Sequence, residues 1–428
     1  MFFKRLVSHL LVLGFFACSA FGVQAAQSAP PEARALAHYT MGIIYDQRGR
    51  TDLASREYRE SLRYDSGAVL ARVRLAIDYL ILGDEKKALK ELEEAKKIDP
   101  NSTEARFLLG IVYTSNRDFD RAEKEYRVIA EHDPENLKAL SLLADIFVIQ
   151  KKTEEAAGVY EKLIEKEKKN PVLYFNLGVL HSRLGKDEDA RREFEQAIKI
   201  DPEYFEAYLG LGYIYETEGL VEKAIESYGK ALKVDPLNAG IYLHLADIYS
   251  EENKDDEAIK NYRIVLSLSP QDIEAHCRLS YIYIKNRRLE EASKLLNEAL
   301  NKGLEDARIF FCLGVLYEEK GEAENAILSF RKAIKMDPKF PSPYNYLGYM
   351  YAEKGENLEE AVALIKKAIE LDPDNGAYID SLGWAYYKNG MHEEALRELE
   401  KASLLLPEDL EIKKHLEEVR EKSRRKNP

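Results

Sequence analysis

From residue 35 onward the apolar positions follow helical spacing, not the alternation of strands. A Leu, a small residue and a Tyr recur at i, i+1 and i+4, as in Leu75-Ala76-Tyr79, Leu109-Gly110-Tyr113 and Leu211-Gly212-Tyr215. A second apolar stripe follows each trio. It opens on Ala and carries an aromatic or Leu four residues later, such as Tyr126, Phe194, Tyr228 or Phe330. The two stripes predict a pair of antiparallel amphipathic helices that returns every 34 residues. The opening Ala is found in all eleven periods: Ala54, Ala88, Ala122, Ala156, Ala190, Ala224, Ala258, Ala292, Ala326, Ala361 and Ala395. Small residues let two helix axes approach where they cross, and one such pair cannot bury both of its faces, so pairs must stack.

Proline keeps the same time. Pro100, Pro134, Pro202, Pro236, Pro270, Pro338, Pro373 and Pro407 share one register, six of them directly after Asp. The residue before Pro avoids the helical region and Pro has no backbone donor, so each Asp-Pro stops a helix at a fixed phase. Nine periods run without a gap from 35 to 340, and the tenth carries one extra residue near Glu356 to Leu358. Repeat four lacks the closing Pro, and repeat eight closes on Gly303-Leu304; these junctions are expected to be looser or differently angled. After 409, Ile412, Leu416 and Val419 at i, i+4 and i+7 predict a helix that caps the last repeat, followed by a basic tail to 428.

These columns resemble the tetratricopeptide repeat (TPR) family, whose pattern repeat six repeats nearly whole: Tyr208, Leu211, Gly212, Tyr215, Ala224, Tyr228, Ala231, Pro236. The resemblance covers 35–409. It implies an all-α fold, a right-handed α-solenoid of about eleven helix-turn-helix repeats plus a C-terminal capping helix. It also implies that first helices line a concave groove. Two columns then face a partner. Among them we single out Phe107, Ile111, Phe175, Val179, Leu209, Tyr213, Leu243, Asp247, Tyr281, Phe311, Val315, Tyr349 and Trp384 as partner-binding residues. The family's carboxylate-gripping adaptors need Lys or Arg and Asn there. Here Phe, Leu, Val and Ile dominate, with Asn176 and Arg278 as isolated exceptions. Acidic spots at Asp145, Asp247, Glu216 and Glu318 suggest a ligand that is apolar with some basic character.

Composition narrows the function classes. The net charge of −13 is a poor match for nucleic acid, which needs clustered positive charge. Catalytic signatures are missing from the sequence, and 35–409 leaves no room for a catalytic domain; neither enzyme activity nor a cofactor or metal is expected. Nine of the 27 Tyr form one column of the period and eight of the 14 Pro close its repeats. Cys277 and Cys312 lie on the first helices of adjacent repeats, one step out of phase. Helix axes roughly 8–10 Å apart and the roughly 7 Å limit on bridged Cα atoms favour two reduced thiols.

The N-terminus has its own pattern. Lys4 and Arg5 precede an apolar run, Leu6 to Phe16, and Val23-Gln24-Ala25 offers small residues where a signal peptidase cuts. Residues 1–25 read as a signal peptide and 26–34 as a flexible spacer. A competing reading takes Ala17-Cys18 as the end of a lipoprotein signal with Cys18 lipidated. The expected product is an exported, periplasmic or outer-membrane-associated scaffold that binds envelope proteins or peptides. The alternative is a component of polysaccharide export, pilus or secretion-system assembly, with aromatics stacking on glycans.

Overall fold

The computed structural model describes residues 29–426. The signal-peptide reading and Cys18 therefore lie outside the described residues. Those residues form 23 helices and no strands, and none of the helices is long and apolar enough to cross a membrane. They divide between 214 and 215 into two compact units. The fold is an all-α TPR solenoid.

From repeat two onward the first helix of every repeat starts on the repeat's first residue: Val69, Thr103, Leu137, Pro171, Phe205, Ala239, Ile273, Ala307, Pro341 and Gly376. Within a repeat the helices cross at the small residue. The ring or branched side chain four residues beyond the opening Ala fills the gap the small residue leaves. A Cβ added to Gly110 would stand 2.5 Å from Tyr126, and one added to Gly314 would stand 2.4 Å from Phe330. All eleven opening Ala residues are fully buried.

Asp-Pro does more than stop a helix. Asp99, Asp201 and Asp337 adopt extended backbone at the C-terminal caps. Each carboxylate then accepts the N–H two residues on, at 3.0, 3.0 and 2.9 Å. Proline supplies no donor in between, so the Asp turns the chain and satisfies the next free amide. The last residue of the repeat finishes the junction. Ser102, Asn136, Asn170, Asn238, Asp272, Asp306 and Asn375 each accept an N–H from the first turn of the following helix.

The turn inside each repeat is equally regular. One left-handed residue sits there every time: Gly49, Gly83, Arg117, Lys151, Gly185, Gly219, Asn253, Arg287, Gly321, Gly355 and Gly390. The irregular junctions differ little. The second helix of repeat eight, Leu289–Asn301, is one residue shorter than its counterparts, and Gly303 (φ 80°) ends it. The extra residue of repeat ten is taken up by a second left-handed position, Asn357 (φ 48°), before the helix Leu358–Leu371 resumes the usual length of 14.

The column of Tyr residues on the first helices is covered from outside by cations. Lys87 stands 5.5 Å over the Tyr79 ring, Arg121 4.4 Å over Tyr113, and Arg288 4.8 Å over Tyr283.

Candidate functional site: an aromatic cleft on the first helices

In the second unit a cleft of about 390 Å³ opens along the first helices of repeats seven to ten. It gathers four of the expected residues, Asp247, Tyr281, Phe311 and Val315. Its floor is aromatic. Phe311 lies 5.3 Å from Phe340 and 5.0 Å from Tyr346, both edge to face, and 6.0 Å from Phe330. Tyr281 projects from the wall and is 61% exposed.

The rim is a chain of ion pairs. Arg278 reaches Asp247 at 2.7 Å and Glu274 at 2.6 Å; Arg308 reaches Asp306 at 2.9 Å. Asp247 also accepts the Tyr262 hydroxyl, and burial followed by this carboxylate pushes the phenol pKa upward. Asp247 is thus neutralised within the array. Glu216 is likewise engaged, by the Tyr228 hydroxyl and by His244 at 3.2 Å. These two acids are satisfied internally, so the case for a basic ligand weakens at these positions. Glu318 is half-buried, and desolvation raises its carboxyl pKa.

Phe340 occupies the repeat-ending position that in seven other repeats carries a capping Asn, Asp or Ser. It makes no side-chain cap; Pro341 starts the helix instead, where no N–H needs a partner. The ring freed from capping joins the cleft. The first unit repeats the arrangement 136 residues earlier, four periods back. Tyr204 takes the same repeat-ending position, and Phe175 lies 5.7 Å from Tyr204 and 5.7 Å from Phe194.

The other expected residues are more dispersed. Phe107 is half-buried, 6.0 Å from Tyr126 and with the Lys138 amine 4.7 Å from its ring. Val179, Leu209 and Leu243 are half-buried, whereas Ile111 and Tyr213 are exposed. Tyr349 is half-buried and donates its hydroxyl to Glu411 at 3.0 Å. Trp384, expected on the open surface, is enclosed at 6% exposure. Its ring stacks 4.1 Å from His415 of the C-terminal helix Leu410–Lys426, and its indole N–H donates to Glu353. His415 also pairs with buried Asp380 at 3.0 Å. Ile412, Leu416 and Val419 bury the apolar side of that helix. The helix therefore packs against both helices of repeat eleven, Gly376–Lys388 and His392–Leu405.

The expected set leaves out three aromatic residues of the cleft, Tyr262, Phe340 and Tyr346. A signal was available. The column one step beyond Leu243, Cys277, Phe311 and Asn345 reads His244, Arg278, Cys312, Tyr346 over repeats seven to ten, and three of those line the cleft.

Family models for tetratricopeptide repeats match residues 39–103, 79–146 and 350–409, and the model of the Cilia and flagella-associated protein 70 C-terminal domain matches 168–374. No curated protein matches the chain significantly. Among solved structures, yeast Tom70 is similar at 17% identity, covering 91% of this chain and 96% of that one with a TM-score of 0.48. Naa15/Naa10 bound to HypK-THB is similar at 18% identity, covering 89% of this chain and 64% of that one with a TM-score of 0.49. A tetratricopeptide repeat protein from Parabacteroides merdae is similar at 21% identity, covering 63% of this chain and 99% of that one with a TM-score of 0.42.

Proposed function

We propose that this chain, which belongs to the tetratricopeptide repeat family, is a non-enzymatic scaffold of the bacterial cell envelope that holds a partner protein by an apolar segment in the cleft of repeats seven to ten. The observation that carries the binding half is the cleft itself: an aromatic floor, open to solvent, with its ion pairs confined to the rim. Apolar centres ringed by satisfied polar groups are the usual energetic core of protein interfaces. The envelope half rests on the pattern Lys4-Arg5, Leu6 to Phe16 and Val23-Gln24-Ala25.

A photo-crosslinker placed at Tyr281 tests the reading in cells, with Leu328 as control. Leu328 is also strongly exposed but lies on a second helix, away from the cleft lining. Protein adducts are expected at Tyr281 and not at Leu328, and the partner recovered should bind the purified chain. Tyr281→Ala should weaken that binding about tenfold, as truncation of an exposed aromatic contact does, and leave thermal stability unchanged. Identical adducts from both positions, or glycan binding in place of protein binding, would refute the reading.

A further inference from the structure

Cys277 and Cys312 both line the cleft floor, from the directly packed first helices Ile273–Lys285 and Ala307–Glu319. Both are free thiols, Cys277 half-buried and Cys312 buried, and each is the strongest influence on the other's ionisation. We propose that this pair is a dithiol oxidation site: a hydroperoxide entering the cleft converts it to a disulfide that fastens repeats eight and nine together across the floor.

The electrostatic surroundings of the two thiols separate their roles. Cys277 first, then the Ser280 hydroxyl and the Arg308 guanidinium, favour the thiolate at Cys312 and lower its pKa against burial and the Glu274 carboxylate. Cys312, and then burial, raise the pKa of Cys277 and keep its proton in place. A thiolate is the form that attacks peroxide, so Cys312 is the reacting sulfur and Cys277 the resolving one. Cys312 sulfur attacks one peroxide oxygen, the O–O bond breaks, and the departing hydroxide takes the Cys277 proton to give water. The new Cys277 thiolate attacks the sulfenic sulfur of Cys312. The S–S bond forms, and the second hydroxide recovers from solvent the proton Cys312 shed on ionising. Two thiols and one hydrogen peroxide become one disulfide and two waters. The bridge requires the two sulfurs to close to the covalent distance of about 2.05 Å.

The proposal does not depend on what the cleft binds. Its test uses the purified full-length chain treated with graded hydrogen peroxide and mapped under non-reducing conditions. A Cys277–Cys312 cross-linked peptide is expected, removed by dithiothreitol, with slower amide exchange across 273–319 in the oxidised form. In Cys277→Ser the sulfenic acid at Cys312 has no resolving partner, and dimedone labelling should rise several-fold over wild type. Two results would overturn it. One is a pair that stays fully alkylatable under peroxide. The other is equal dimedone labelling of wild type and Cys277→Ser.

Discussion

Asp78 offers the sharpest test of how the first repeats are held. It lies on the first helix of repeat two, Val69–Ile81, at 1% exposure, and neither carboxyl oxygen has a hydrogen-bond partner. Burial first, and the neighbouring Asp46 carboxylate second, push its pKa up to about 7; Arg74 opposes them. Asp46 in turn accepts the Tyr58 hydroxyl at 2.6 Å. In the unfolded chain the same carboxyl ionises near pH 4, so the shift is roughly three units, or up to about 4 kcal/mol at 1.36 kcal/mol per unit. The sign follows from proton counts. Between those values the folded form holds a proton that the unfolded chain has released. The contribution is complete at pH values below about 4 and is lost as pH rises through about 7. Asp78→Asn keeps the shape, removes the charge and should flatten this dependence. We expect the variant to gain about 2–4 kcal/mol over wild type at pH 8 and almost nothing near pH 4. Amide exchange over 35–81 reads it locally, because the ends of repeat arrays open independently; urea unfolding reads it globally. Wild-type and variant stabilities that run parallel from pH 4 to 8 would refute the reasoning.

Other predictions concern packing and caps. Gly110→Ala would press a methyl into the buried Tyr126 ring and should cost about 1–3 kcal/mol in urea unfolding. His415→Ala should release the C-terminal helix from Trp384, which is the chain's single tryptophan. Its emission should shift to the red and become more open to acrylamide, and an unchanged spectrum would mean the helix stays docked without that stack. Lys151→Gly removes a left-handed non-glycine (φ 59°) and should raise stability by about 0.5–1 kcal/mol despite the looser unfolded chain, seen as a higher melting temperature.

The helices were legible because each column of the 34-residue period reports one packing demand. Leu, small residue and Tyr mark the crossing on the first helix, and Ala with its ring four residues on marks it on the second. Column reading was blind to positions where the residue type varies while the backbone does not. Arg117, Lys151 and Gly185 share one left-handed turn with no common side chain. The repeat-ending caps hide in the same way, as Ser102, Asn136 and Asp272 look unrelated until one asks which amide needs an acceptor. Phe340 and Tyr204 then stand out as aromatic rings in the capping column, and Phe340 joins the cleft. Trp384 was misplaced for another reason. A periodic rule describes residues with a repeat on both sides, and Trp384 has the C-terminal helix in place of a next repeat.

The second left-handed residue in repeat ten has a wider consequence. Asn357 absorbs an inserted residue, and Ala361, Ile365 and Ala368 beyond it are fully buried again. Length added in the intra-repeat turn therefore does not propagate, whereas one residue added inside a helix would rotate every later side chain by about 100°. The Gly355–Asn357 turn is accordingly a natural port. A tag, a fluorophore or a whole guest domain could be spliced there without disturbing the frame on either side, and genomes that lengthen such arrays would meet the same permissive spot.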